Sequence, residues 1–338
     1  MVSISLCMIV KNEEAILRRC LDSVADLMDE IIIVDTGSVD GTKAIAAEYT
    51  DKIYDFAWVD DFSAARNFAF SKASMDYIYS ADADEVLNQE NRERFRVLKE
   101  SLIPEIEIVQ MKYGNQMHLG TVYNFDEEYR PKLFKRLREF RWIEPIHETI
   151  QTDPVVYDSD IVITHMPTSA HGSRDLCAFR KQIDAGMGLS RRLREMYARE
   201  LLMVGEREDL LAAENYFAQL CCEEGISVEE SKECYSVLTR IAMEKEDAAM
   251  LMKYALKAVL TESCSEVCLE LGHFYERAQD LEEASIWYYN AAFETVPVLV
   301  KAAGDEQALE GLIHIYEQMG LTEQAESYRQ ELLGRREA

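Results

Sequence analysis

The chain has 338 residues, of which 48% are hydrophobic and 29% charged, with only 6 prolines and 14 glycines. This composition is typical of globular proteins, excludes a fibrous or disordered chain, and gives enough length for two domains. The formal net charge of −27 argues against nucleic acid and anionic membranes as general partners, and any site for an anionic ligand must supply its own positive charge.

Short β-rich segments alternate with helical patterns from residue 2 to about residue 165, which predicts an α/β layer on a mainly parallel sheet. The predicted strands are residues 3–10, 30–35, 52–56, 77–80, 107–112, 131–137 and 160–164. The predicted crossover helices are residues 13–25, 41–49 and 63–73. Pro104 and Pro131 are expected at element edges, where proline is tolerated.

The rest of the chain is helical in pattern, and its last part repeats itself. Tyr275 aligns with Tyr316 and Ala284 with Ala325, both with an offset of 41 residues, and the ETVPVLVKAAG segment accounts for the excess over the ~34 residues of a tetratricopeptide repeat. We expect a Rossmann-like domain over residues 1–170 and an all-α, tetratricopeptide-like domain over residues 171–338. The repeated spacing of aromatic and small residues favours packing between helices over ligand binding.

The N-terminus lacks the basic leader of a signal peptide, and no apolar segment approaches the ~20 residues of a membrane helix. The 8 cysteines are scattered without a zinc spacing, which favours reduced thiols. A cytoplasmic location is therefore expected.

Asp82 and Asp84 follow a predicted strand directly, in the segment DYIYSADAD. Two carboxylates at this spacing can face one Mg²⁺ or Mn²⁺ ion, which prefers oxygen ligands and bridges diphosphate oxygens. Alone, such a pair in a chain with 63 acidic residues is more often a solvated turn.

Four segments, taken together and in this order along the chain, resemble a known family: LCMIVKNEEAILRRCLDSV, DEIIIVDTGSVDGT, WVDDFSAARNFAF and SADADEVL. Together they resemble family 2 glycosyltransferases with the GT-A fold, over roughly residues 3–150. More narrowly, the chain is similar to the bacterial subgroup in which tetratricopeptide repeats follow the catalytic domain. The resemblance implies an inverting sugar transfer from a nucleotide sugar, uridine-based by family habit, with Mn²⁺ or Mg²⁺.

The resemblance also implies roles for single residues of the donor site. Residues 10–13 and Asp35 would cradle the base and ribose, where an open α/β sheet is expected to bind a nucleotide. Arg66 would contact the base or a phosphate, Asp82 the ribose or the metal, and Asp84 the metal. Asp35 is equally well explained as a turn former before Thr36 and Gly37. Within residues 10–13, the side chains concerned are Val10, Asn12 and Glu13.

The segment FKRLREFRWIEPIHETI resembles the acceptor side of the same family. An inverting transfer needs a base that deprotonates the acceptor, and Glu148 is the first candidate, followed by His147 and then Glu144. Trp142 could stack on a sugar ring, but core packing explains it at least as well.

His165, after the last predicted strand, corresponds to a histidine that often completes the metal site in such enzymes, although a histidine in this place is equally often structural. The segment after His165 departs from the subgroup pattern; Arg174, Arg180 and Lys181 are the cations there that could reach phosphates.

Three functions remain open at this stage. The first is an active glycosyltransferase whose repeats position a protein, peptide or glycan acceptor. The second is a nucleotidyltransferase on a related fold, although the expected Gly-rich basic loop is absent from CMIVKNEE. The third is a repeat-based adaptor with a degenerate sugar domain, against which the intact acidic residues argue. Oligomeric state stays open.

Overall fold

A computed structural model describes residues 1–114, 128–150, 153–166 and 172–337. These residues divide into two compact units, the first within residues 1–170 and the second mainly from residue 171 onward. The predicted domain boundary at residues 170 and 171, and residues 167–171 of the segment that departs from the family pattern, lie outside the described residues.

In the described part of the first unit, eight strands form one sheet with the order β3-β2-β1-β4-β7-β6-β10-β5. Neighbours from β3 to β4 run parallel, as do β6 and β10, whereas β7 is antiparallel to both β4 and β6, and β5 to β10. The strands are β1 (Ile4–Val10), β2 (Glu30–Asp35), β3 (Ile53–Asp55), β4 (Tyr77–Ser80), β5 (Glu85–Val86), β6 (Ile108–Gly114), β7 (Glu128–Lys135) and β10 (Val156–His165). A separate antiparallel pair joins β8 (Trp142–Ile143) to β9 (Thr149–Ile150).

Helices cover the sheet because its central strands are apolar on both faces, as expected of parallel strands. The helices of this unit are α1 (Leu17–Val24), α2 (Thr42–Ala46), α3 (Phe62–Phe70) and α4 (Gln89–Ser101). Asp61 caps α3 by accepting a hydrogen bond from the Ala64 amide, and Asn88 caps α4 through the Asn91 amide.

The second unit is helical throughout its described residues. Its helices are α5 (Gly172–Asp184), α6 (Arg191–Val204), α7 (Arg207–Leu220), α8 (Val228–Glu244), α9 (Ala248–Thr261), α10 (Ser265–Arg277), α11 (Leu281–Tyr289), α12 (Glu306–Gln318) and α13 (Thr322–Glu337). Consecutive helices pack on each other, most extensively α8 on α9, α10 on α11 and α12 on α13. A short π-helix, Asn290–Glu294, continues α11.

Tyr288 of α11 connects the helix pair α10–α11 to the pair α12–α13. Its ring is buried and lies so close to Gly272 of α10 and Gly311 of α12 that an added Cβ at either glycine would come within 2.6 Å of it. Its hydroxyl donates a 2.5 Å hydrogen bond to Glu276. Both glycines are therefore required by a close approach and not by backbone conformation.

The predicted fold class, a mainly parallel α/β sheet of GT-A type followed by a helical region, is confirmed. The prediction for Pro131 is wrong: it lies inside β7, opposite Gln110, where the register between β6 and β7 shifts and the missing amide is accommodated. Helix α1 begins at Leu17, later than predicted, because residues 11–16 form a loop. Among the described residues, no helix has both the length and the apolar content that crossing a bilayer requires.

Candidate active site

The candidate site lies at one edge of the sheet, where the parallel strands β1, β2 and β4 end. Val10 pairs with Asp35 at the ends of β1 and β2, and Ser80 ends β4 beside β1. Loops that follow the carboxyl ends of such neighbours meet over the same edge. The sheet therefore brings together predicted site residues that are far apart in the sequence.

The loop after β1 is tied to the loop after β2. The Asn12 amide donates to the Ser38 hydroxyl at 2.9 Å, and the Asn12 side chain accepts from the Val39 amide at 2.8 Å. The Glu13 amide donates to the Thr42 hydroxyl at 2.7 Å. Asn12 has φ 57°, in the left-handed region that asparagine tolerates better than most residues. These bonds hold residues 10–13 beside Asp35.

Asp35 is buried and organises the turn that follows it. Its carboxylate accepts from the amides of Gly37 at 3.1 Å and Ser38 at 3.0 Å, and Lys43 lies 3.4 Å away. Burial would raise the pKa of Asp35, but the hydrogen bonds from Ser38 and Gly37 and the charge of Lys43 outweigh it and lower the pKa. The turn-forming interpretation of Asp35 is thus confirmed, and its nucleotide-binding role stays a prediction.

Arg66, on α3, lies between two of the predicted acidic residues. Its guanidinium contacts Asp82 at 2.7 Å, forms an ion pair with Glu148, and donates to the Ser80 hydroxyl at 3.1 Å. Burial would raise the pKa of Asp82, but the charges of Arg66 and Lys132 outweigh it and lower the pKa well below its usual range. Arg66 and Glu148 are largely buried, whereas 39% of the Asp82 side chain is exposed.

The predicted acceptor segment packs against the same helix. Asn67 of α3 bonds both backbone groups of Trp142, each at 2.9 Å. Trp142 is only 8% exposed, and its ring packs on Phe70 and Phe134 at centroid distances of 5.7 and 5.5 Å. The suggestion that Trp142 stacks on a sugar is therefore wrong, since the ring belongs to the core.

Glu144 and His147 lie in the loop between β8 and β9, with φ values of 71° and 48°. Positive φ is uncommon for such residues and gives this loop a defined, strained shape. The Phe62 amide of α3 donates to the Pro145 carbonyl at 2.9 Å and fixes the loop at its centre. Glu148 follows His147 directly and is thereby directed to Arg66, and His147 stays its predicted neighbour or substitute.

Asp84 and His165 form a pair, with 3.1 Å between Oδ2 and Nε2. The pair is held by backbone contacts, because the Met166 amide donates to the Asp84 carbonyl at 2.8 Å and His165 is opposite Glu85 in the β5–β10 ladder. A carboxylate oxygen and an imidazole nitrogen are a donor set that Mn²⁺ accepts well. The structure thus brings two of the three predicted metal ligands together, while the third, Asp82, turns to Arg66. Over the described ranges, no group of three or more His, Cys, Asp or Glu side chains has the geometry of a metal centre.

Sequence analysis missed a buried charged cluster behind these residues. Lys132 of β7 and Glu85 of β5 are 2.5 Å apart with side chains only 8% and 2% exposed, and the Tyr113 hydroxyl donates to the same carboxylate oxygen at 2.6 Å. Burial raises the pKa of Glu85. The usable signal was the alternation of Arg130 and Lys132 in a strand of an acidic chain, which puts two cations on one face of the sheet.

Residues 5–152 match the model of the family described as Glycosyl transferase family 2. The match includes every predicted donor-site and catalytic residue, and ends before His165. The matched segment is a little under half of the chain, and over that segment the chain is similar to this family.

The chain is similar to a TPR repeat-containing protein of Synechococcus elongatus, with 38% identity over 44% of this chain and 36% of that protein. It is also similar to the lipopolysaccharide core biosynthesis glycosyltransferase LpsC of Rhizobium meliloti, with 31% identity over 44% of this chain and 56% of that protein. The chain thus spans about a third to a half of the length of these relatives. Among solved structures, glucosyl-3-phosphoglycerate synthase from Mycobacterium tuberculosis has a TM-score of 0.39 and 14% identity, covering 56% of this chain and 81% of that one, which is too weak a likeness to argue from.

Proposed function

We propose that this chain, whose residues 5–152 match the model of Glycosyl transferase family 2, is an inverting glycosyltransferase that uses a nucleotide sugar, with a uridine nucleotide as the first candidate. The acceptor would be a hydroxyl or thiol of a protein, peptide or glycan. The observation that carries the proposal is the convergence of Arg66, Asp82, Glu148 and the Asp84–His165 pair at the edge where the loops after β1 and β2 meet.

The donor nucleotide would lie over residues 10–13 and Asp35, in the crevice where open α/β sheets bind such ligands. Its diphosphate needs local positive charge in a chain of net charge −27. Arg66 is the cation nearest to the exposed face of Asp82, and Lys132 adds positive charge from behind. This arrangement supports a diphosphate position above Asp82 and Asp84.

Asp84 and His165 would hold a divalent cation, Mn²⁺ or Mg²⁺, because the carboxylate oxygen suits both ions and the imidazole nitrogen suits the transition metal Mn²⁺. When bound, such an ion stabilises the negative charge of the departing diphosphate. The role of Asp82 would be to orient Arg66, or to join the ion when a donor displaces that contact.

Glu148 would accept the proton of the acceptor as its oxygen or sulfur attacks the anomeric carbon. Arg66 binds its Oε1 and so fixes the carboxylate, while no described residue hydrogen bonds to Oε2, which is left for the acceptor. The proton ends on Glu148 and the nucleoside diphosphate departs from the opposite face of the sugar, which gives inversion.

The helical second unit would hold the acceptor, since stacked helix pairs offer extended surfaces. The relative that contains TPR repeats supports a repeat assignment for this unit. A cytoplasmic location belongs to the same proposal.

The test is a thermal-shift series with uridine, guanosine and adenosine diphosphates and their sugar conjugates, each with and without Mn²⁺. A ligand that binds only the folded state raises the melting temperature. We expect stabilisation by a uridine nucleotide that requires the metal, followed by release of nucleoside diphosphate from the matching sugar donor. Stabilisation by no nucleotide under either condition would overturn the proposal in favour of an adaptor.

A further inference from the structure

Helix α9 exposes an apolar face. Leu256, Val259 and Leu260, at i, i+3 and i+4, have exposed fractions of 61%, 48% and 85%. Residues at this spacing lie on one side of a helix. The opposite side of α9, with Leu251, Tyr254, Ala255 and Ala258, is buried in the unit. The helix therefore has two apolar sides, and only one of them has a partner.

The neighbouring helix α11 and its π-helical continuation extend this surface. Ile286, Tyr289 and Phe293 are exposed, and the rings of Tyr289 and Phe293 are 4.8 Å apart. A cavity of about 440 Å³ separates the two helices and is lined by residues of both, including Val259 and Tyr289. We call this surface, formed by the exposed apolar residues of α9 and of 286–293, the α9–α11 face.

The charges on the two sides of the α9–α11 face are opposite in sign. Helix α9 carries Lys253 and Lys257 and no acidic residue, although the chain has 63 acidic residues. Residues 281–294 carry Glu282, Glu283 and Glu294 and no basic residue. Across the described chain, no ion-pair partner is found for Lys253, Lys257 or Glu294.

We propose that a second copy of this chain covers the α9–α11 face, with α9 of each copy against α11 of the other. A two-fold interface is self-complementary, so a surface that is basic on one side and acidic on the other meets itself with opposite charges facing. A contiguous apolar surface rimmed by polar groups is uncommon on a monomer and marks an interaction site. The pairing brings Lys257 to Glu294 of the second copy, and it is independent of the reaction proposed above.

The first test is the mass of the full chain by size-exclusion chromatography with light scattering, over a range of concentrations. We expect a dimer at about 10 µM and above, since dimers of this kind dissociate on dilution. Leu256→Ser together with Leu260→Ser should give a monomer. The matched control is Val97→Ser with Ile103→Ser, which replaces two apolar residues of the first unit that are also more than half exposed and should leave the dimer intact.

The second test exchanges the charges of Lys257 and Glu294. Only a second copy of this chain carries both changes, so another partner would not respond to the exchange in the same way. Lys257→Glu should raise the dimer dissociation constant about tenfold, because two like-charge contacts replace two ion pairs. Adding Glu294→Lys to that variant should restore the dimer. Both substitutions are at exposed positions, and unchanged melting temperatures would verify folding. A chain that is monomeric at every concentration, a dimer that survives the α9 serine variant, or a double exchange no better than the single one would each overturn the proposal.

Discussion

The two edges of the sheet use the same residue types in different ways. At the amino edge, Glu30 begins β2 and is buried, and its oxygens accept from Ser5 at 2.5 Å, from the Ser74 amide at 2.8 Å and from Lys52 at 2.5 Å. At the carboxyl edge, Arg66 is shared by two carboxylates, and Asp82 remains partly exposed.

The difference separates stability from ligand binding. Charged groups at the amino edge are matched by protein partners, as a buried carboxylate requires. At the carboxyl edge, the Arg66 guanidinium is shared by Asp82 and Glu148 and Asp84 faces His165, so a bound cation or ligand can still improve the site. We therefore expect substitutions of Asp84 and Glu148 to affect turnover, and those of Glu30 and of the buried Lys132–Glu85 pair behind the site to affect the free energy of unfolding.

Asp84→Asn should have the largest effect. Loss of the charge that holds the cation should lower turnover of the sugar donor about a thousandfold, because the leaving diphosphate is no longer stabilised. The melting temperature should change by less than about 2 °C, since the side chain shape is kept. The measurement is nucleoside diphosphate release together with Mn²⁺-dependent thermal stabilisation. The control is Asp51→Asn, which changes an exposed residue at the amino edge. Full activity of the Asp84 variant would show that Asp84 does not bind a catalytic metal ion.

Lys132→Met tests the buried cluster behind the site. It leaves the buried carboxylate of Glu85 without its cation, which should cost about 3–5 kcal/mol of unfolding free energy, measured by urea denaturation. Combining it with Glu85→Gln should recover a large part of the loss, since no unpaired charge is then buried. An equal loss in the single and double variants would mean that packing, and not charge, accounts for the effect.

Glu148→Gln should lower transfer about a hundredfold while the donor still binds, because the amide cannot take up the proton but its oxygen can still accept a hydrogen bond from Arg66. The matched measurement is the nucleotide dissociation constant in the presence of Mn²⁺, which should be unchanged within about twofold. Glu144→Gln is the control from the same loop. If donor binding weakens and turnover is normal, Glu148 acts on the donor and is not the base.

Glu30→Gln should have the smallest effect and act on stability alone. Burial would raise the pKa of Glu30, but the bonds from Lys52, Ser5 and Ser74 outweigh it and hold the pKa at about 2, below the ordinary 4.5. A lowered pKa stabilises the folded state above about pH 4.5, and this contribution is lost as the pH falls toward 2. The variant should therefore lose about 1–3 kcal/mol at pH 7 and approach the wild type only near pH 2. Equal differences at both pH values would show that ionisation of Glu30 is not the cause.

The sequence predicts the central strands, and it predicts site residues that the structure brings together at one edge of the sheet. Strand β2 was predicted with its observed bounds, because an apolar segment that ends in Asp and is followed by Thr-Gly-Ser has few alternatives. Asp82 and Asp84 were predicted as a pair of carboxylates just past the strand Tyr77–Ser80. Their partners were not, since Arg66 is 16 residues from Asp82 and 82 residues from Glu148, and only the folded chain decides which carboxylate meets it.

Other elements were missed because local patterns did not reveal them. Helix α4 has a polar sequence and a weak apolar periodicity, although Asn88 was available as its cap. Strand β5 has two residues and exists only through its ladder with β10. From the sequence alone, Lys132 would be expected at the surface. It is buried because β7 lies between β4 and β6 in the sheet.

The ring of Tyr288 has a consequence for how the helical unit opens. A ring in contact with Gly272 of one helix pair and Gly311 of the next cannot lose one neighbour without exposing itself to water. Helix arrays whose units meet only at ordinary interfaces can fray from the end, one unit at a time. Here the last two pairs should instead exchange their amide hydrogens as one cooperative block, so that the C-terminal end of the chain is as long-lived as the helices before it.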